Sequence, residues 1–166
     1  MTRPNISSQA ERGQTFLALH KRDRAFIIPN PWDVGTARVS QQLGFEALAT
    51  TSAGYAFSVG MPDNTISRDE TLEQVAAIIS ATNLPVSADL ENGFGDSPET
   101  VAETIRLASA VGLVGGSIED ATARRDQPIY EPDHAAERIR AAAEAVSGLP
   151  SPFVLTARAV NYLVGR

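Results

Sequence analysis

From residue 14 to residue 158 the chain alternates between short apolar runs and longer stretches with helical periodicity. The apolar runs are 25–30 (AFIIPN), 45–51 (FEALATT), 84–90 (LPVSADL), 113–120 (LVGGSIED) and 152–158 (PFVLTAR). The helical stretches are 14–23, 33–44, 67–83, 97–112 and 131–148, several with start and stop signals. Asp33 reads as an N-cap with Gly44 as its stop, Ser67 and Glu70 have capping-box spacing, and Ser97 precedes Pro98. The runs are apolar without strict alternation, as expected of strands covered on both faces. Strand–helix repetition of this kind predicts a parallel sheet with right-handed crossovers.

Two architectures satisfy that pattern, an open flavodoxin-like sheet and an eight-stranded (β/α) barrel. Five strands in 166 residues suit the open sheet on length alone, because the barrel typically takes about 250 residues. Residues 1–13 are polar and read as an irregular segment ahead of a single domain over 14–166.

Composition narrows the function classes. A net charge of −6 argues against nucleic acid, whose phosphates need a basic face. The absence of cysteine removes disulfides, thiolate nucleophiles and thiolate-held zinc. No segment resembles a signal peptide or a membrane span, so the expected setting is cytoplasmic. Serine-elbow, dinucleotide and P-loop motifs are missing.

The chemistry-bearing residues gather just after the apolar runs, at the edge where parallel α/β folds bind ligands. Asn30 and Asp33 follow the first run, Thr50 to Gly54 the second, Asp89 and Glu91 the third, Glu119 and Asp120 the fourth, and Thr156 and Arg158 close the fifth. Asp89, Glu91 and Glu119 are oxygen donors of the type that suits a hard divalent cation, held directly or through water. The spacing equally allows Asp89 and Glu91 to cap a turn while Glu119 pairs with Arg124 or Arg125. Ser52, Ala53 and Gly54 could offer backbone N–H groups to a carboxylate or form an ordinary loop within 50–63. Asp63 is either a turn residue or an active-site acid, and 121–133 either a lid or a solvated loop. His20 and His134 read as surface residues away from the strand ends, and Trp32 as a packing anchor.

PNPWDVGTARVSQQLGFEALATTSAGYAFSVGMPD, PVSADLENGFG, GGSIED and LTAR, in this order and spacing, resemble the isocitrate lyase/phosphoenolpyruvate mutase superfamily from about residue 25 onward. The resemblance implies an α/β fold, a (β/α)8 TIM barrel of that type, of which this chain would supply about the first five βα units. It implies Mg2+, with Mn2+ as a substitute, at Asp89, Glu91 and Glu119, where Glu91 replaces the family's usual Asp and would reach the metal through water. It places substrate-carboxylate binding on Ser52, Ala53 and Gly54, a further active-site acid at Asp63, and a catalytic and substrate-binding arginine at Arg158. The expected ligand is a small 2-oxo acid or other carboxylate, and the expected assembly a homo-oligomer, dimer or tetramer, without nucleic acid or membrane.

Two departures qualify the resemblance. The isocitrate and methylisocitrate lyases carry a Cys- and His-containing loop after the fourth strand, whereas here the segment reads ATARRDQPIY. A mechanism that depends on that thiol is not expected. Five βα units also cannot close an eight-stranded barrel, so a truncated chain, or one that completes its sheet with another copy, is expected. The functional expectation is a Mg2+-dependent lyase, hydrolase or mutase acting on an α-keto acid or its enolate. The alternative is a non-catalytic member serving as a binding or assembly module.

Overall fold

The computed structural model describes residues 7–163. Its elements run α1 (Gln9–Lys21), α2 (Val34–Gln42), β1 (Leu48–Ala49), α3 (Ser52–Ser58), α4 (Arg68–Ala81), β2 (Val86–Asp89), α5 (Pro98–Ala110), β3 (Gly115–Glu119), α6 (Pro132–Ser147) and β4 (Val154–Arg158). The four strands form one parallel sheet in the order β1-β2-β3-β4. Strict sequential order distinguishes a barrel wall from a doubly wound sheet, whose order reverses at a switch point. The helices follow suit, α2 packing on α4, α4 on α5 and α5 on α6.

Local chemistry explains most boundaries. Asp33 accepts from Thr36 N at the start of α2, Ser67 and Glu70 close a capping box on α4, and Ser97 accepts from Thr100 N ahead of Pro98 on α5. Each cap supplies an acceptor to an amide that has no partner within the helix.

Three expectations are corrected. Residues 9–13 are helical, because Ser8 and Glu11 form a capping box that starts α1 within the polar segment. The 50–63 connection contains α3, started by the Thr51 side chain accepting from Gly54 N. The 25–30 run forms no strand, leaving four among the described residues. It does lie beside β1, where Pro29 O accepts from Ala49 N at 3.1 Å, but Pro29 and Pro31 lack the N–H groups that would extend the ladder.

The main core lies between the sheet and α4, α5 and α6, where Leu48, Val86, Ala88 and Ile118 meet Val75, Ile78, Val101 and Ile105. A smaller cluster of Phe16, Leu19, Ala47 and Val114 sits beneath the strand starts. There α1 crosses the sheet, with Gln9 Nε2 donating to Ser109 O and Leu113 O at 2.8 and 3.0 Å. Gly115 admits Phe16, since a Cβ at that position would stand 2.7 Å from Phe16 Cε1. No helix among the described residues is long and apolar enough to cross a membrane.

Candidate active site

The strand register brings the acids together. Asp89 pairs with Ser117 across β2 and β3, and Glu119 pairs with Arg158 across β3 and β4. Beyond β2 the chain turns back so that Glu91 O accepts from Glu119 N at 2.9 Å. Ala49, Ser87, Asp89, Ser117 and Thr156 line a cavity of about 440 Å³. Small side chains at these positions leave open space where branched residues commonly fill a barrel. A second cavity of about 290 Å³ adjoins it and shares Ser52, Asp63, Asp89 and Arg158.

Asp89 is held from three sides. Its Oδ2 accepts from Ser52 Oγ at 2.9 Å and from Ser52 N at 3.3 Å, and its Oδ1 accepts from Arg158 Nη1 at 3.3 Å and from Glu91 N at 3.2 Å. Arg158 Nη2 lies 3.1 Å from Glu119 Oε2. The open alternative for Glu119 is thus settled geometrically: its partner is Arg158, while Arg124 pairs with Asp96 at 2.7 Å.

Glu91 has a φ of 49° and Phe94 one of 61°, both in the left-handed region. Non-glycine residues hold that conformation only where their surroundings impose it, and such positions cluster at functional sites. Burial, followed by the charges of Asp89, Asp63 and Glu119, pushes the Glu91 carboxyl up to about 7. Burial also raises Glu119, opposed by Arg158 and reinforced by Asp89, Asp120 and Asp63.

Among the described residues no three carboxylates or imidazoles form a ready-made metal cage. The donor set still fits a hard cation. All donors are oxygens, Mg2+ takes one or two direct carboxylates and keeps its waters, and a cation would favour the ionised forms that burial first, and neighbouring carboxylates second, disfavour at Glu91 and Glu119. Asp63 is exposed on the turn after α3 and lines both cavities. At the start of α3, the Ser52 and Gly54 amides bond Asp89 and Thr51 respectively. Trp32 walls this turn, and a Cβ at Gly54 would lie 2.4 Å from its Nε1.

The structure adds contacts that spacing did not reveal. His20 lines the larger cavity, packed edge-on against Phe16 and Phe26 with centroids 4.5 and 5.1 Å apart. His20 is exposed, as expected of a surface residue, but it also borders this cavity, which only the packing of α1 reveals. Thr50 Oγ1 accepts from Asp89 N at 3.2 Å. The 121–130 loop is a closed hairpin in which Ala121 bridges Ile129, and Thr122 bonds Gln127 and Pro128.

A family model described as phosphoenolpyruvate phosphomutase matches residues 16–166. The 2-methylisocitrate lyase of Escherichia coli K12 is 30% identical over 154 residues, covering 88% of this chain and 51% of that protein. A crystal structure from Burkholderia cenocepacia J2315, provisionally assigned as a lyase/mutase, is 65% identical with a TM-score of 0.93, covering 95% of this chain and 56% of that one. Phosphonopyruvate hydrolase in complex with oxalate and Mg2+ is 25% identical with a TM-score of 0.86, covering 96% and 55%. The chain spans about half the length of the curated relatives it matches.

Proposed function

Because the chain belongs to the phosphoenolpyruvate mutase/isocitrate lyase superfamily, we propose that the whole protein is a Mg2+-dependent enzyme acting on an α-keto acid or its enolate. The bond made or broken is C–C, as in a lyase or hydrolase, or P–C, as in a mutase. The observation that carries this reading is the pairing of Arg158 with Asp89 and Glu119 at the carboxyl ends of adjacent strands, with Glu91 close enough to feel the charge of both acids. The phosphonopyruvate hydrolase complex with oxalate, a mimic of such an enolate, supports it.

In this reading Asp89, Glu91 and Glu119 hold Mg2+, directly or through water, and the ion supplies Lewis acidity toward the substrate's oxygens. Arg158 places a fixed cation beside the oxygen that gains charge. The turn at Ser52, Ala53 and Gly54 orients the substrate carboxylate. Asp63, at the border of both cavities, moves a proton at the reacting carbon or positions the attacking group. The loop after β3 contains no cysteine, so no thiol serves there as an acid.

The test is thermal unfolding with Mg2+ and oxalate together. A rise in melting temperature is expected, because ligands that bind only the folded state stabilise it by mass action. No rise with the full-length protein overturns the site. A screen against C4–C6 2-oxo and 2-hydroxy diacids and phosphonopyruvate then separates catalysis from a binding role. Binding with no turnover of any of them would identify a non-catalytic member.

A further inference from the structure

Behind the acids, α6 buries Arg138 until it is 1% exposed. Among the described residues it pairs with no carboxylate. Its guanidinium donates to main-chain carbonyls instead: Nε to Asp96 O at 3.1 Å, Nη1 to Glu119 O at 3.3 Å, and Nη2 to Gly95 O at 3.0 Å and to Asn92 O. Its flat face lies on the Tyr130 ring, 3.9 Å from the centroid. The Tyr130 hydroxyl donates to Asp96 Oδ1 at 2.6 Å and accepts from Asn92 Nδ2 at 3.0 Å.

These acceptors come from two places only. One is the 92–96 turn, which begins one residue after Glu91 and contains the left-handed Phe94. The other is Glu119 itself. Five N–H groups in a rigid plane set the separation of the carbonyls they bind, which a lysine's single ammonium cannot reproduce. Burial lowers the Arg138 pKa, as expected of a cation taken out of water. A buried charge is a poor choice for stability alone, since an apolar side chain of similar volume often serves as well or better. Its placement between the two acid-bearing strand ends supplies the missing reason.

We propose that Arg138 is a positioning residue that fixes the Asp89–Glu91 strand end against Glu119. Through Tyr130 and Asp96 it also seats the 121–130 loop beside them. The proposal rests on the reading of those acids as a Mg2+ site.

The test compares the full-length protein with Arg138→Lys, Arg138→Met and Tyr130→Phe, the last keeping the ring and removing the hydroxyl. Two quantities are read: amide exchange over 91–96 without metal, and the Mg2+ concentration at the midpoint of the oxalate-dependent thermal shift. Folded Arg138 variants are expected to show faster exchange confined to 91–96. Their Mg2+ midpoint should rise at least about tenfold, the scale of loss seen when groups supporting metal ligands are removed. Tyr130→Phe is expected to show a smaller change of the same kind. Folded Arg138 variants with wild-type exchange and midpoint overturn the proposal. If neither Arg138 variant folds, Tyr130→Phe decides by the same criteria. Should the wild type fail to respond to Mg2+ and oxalate, the site reading falls separately. Exchange alone then judges Arg138, acceleration confined to 91–96 upholding its positioning role and any other pattern overturning it.

Discussion

Arg158 on β4 reaches Asp89 on β2 across the strand between them, with Nη1 3.3 Å from Oδ1, while Nη2 meets Glu119 on that middle strand at 3.1 Å. One cation thus compensates two acids in a group that also includes Glu91 and Asp63. Arg158→Met removes the compensation and leaves the carboxylates to repel one another. A partly exposed pair contributes at most about 1 kcal/mol, so metal-free melting should fall by no more than about 2–4 °C for each pair lost in a chain of this size. The rise on adding Mg2+ should exceed that of the wild type, because more repulsion is there to relieve. Turnover should drop on the order of 10²-fold, as when an electrostatic stabiliser is removed. A smaller Mg2+ response in the variant would contradict this account of Arg158.

In the proposed site, Glu91 should set the pH dependence. Its carboxyl is pushed up to about 7 from an ordinary 4.5, first by burial and then by Asp89, Asp63 and Glu119. The folded state therefore holds this proton more tightly than the unfolded chain does. The resulting stabilisation is complete below about pH 4.5 and lost as the pH rises through about 7. Mg2+ bound at Glu91 as proposed would have to displace that proton, so the Mg2+ midpoint should fall between about pH 6 and pH 8. Glu91→Gln should flatten the Glu91 contribution to both profiles, as read by thermal unfolding across that range. A wild-type Mg2+ midpoint that does not change with pH would remove Glu91 from the site.

What was legible in the sequence was local or periodic. Ser67 with Glu70, Ser97 with Pro98, and Asp33 each announce a helix through an acceptor three residues from an orphan amide. The acids were legible because parallel strands present their carboxyl ends on one edge, so Asp89, Glu119 and Arg158 had to meet. The start of α1 was hidden because Ser8 and Glu11 sit in a polar run without apolar periodicity. Seven-residue α3 is too short for a periodic signal, and the prolines around 25–30 allow an extended shape while removing ladder donors. Arg138 and His20 reach the site through helix packing, which no spacing along the chain encodes.

Gly54 offers a steric test of the proposed substrate turn. A Cβ there would lie 2.4 Å from Trp32 Nε1, 2.5 Å from Trp32 Cδ1 and 2.6 Å from Thr51 Cγ2. Helix propensity alone would make Gly54→Ala stabilising by about 0.5–1 kcal/mol. The clash predicts the opposite sign. Trp32 is the sole tryptophan, so its emission reports the displacement directly. Oxalate affinity should fall by at least about tenfold, since displacements near 1 Å can cost 10²-fold at a reacting centre. Unchanged emission together with higher stability would show that the turn accommodates a methyl group.

Thr104 ties α5 to the turn behind Glu91. It is fully buried, and its Oγ1 donates to Gly93 O at 2.8 Å. Thr104→Val keeps the shape but removes the donor, leaving a buried carbonyl unsatisfied at a cost of about 1–3 kcal/mol. At about 2–4 °C per kcal/mol for this size, melting should fall by several degrees. Thr104→Ser, which keeps the hydroxyl and loses a methyl, should retain slow amide exchange at 91–95 even if it melts somewhat earlier. If valine melts with the wild type, or if serine and valine loosen the turn equally, the hydrogen bond is not what holds Glu91 in its left-handed conformation.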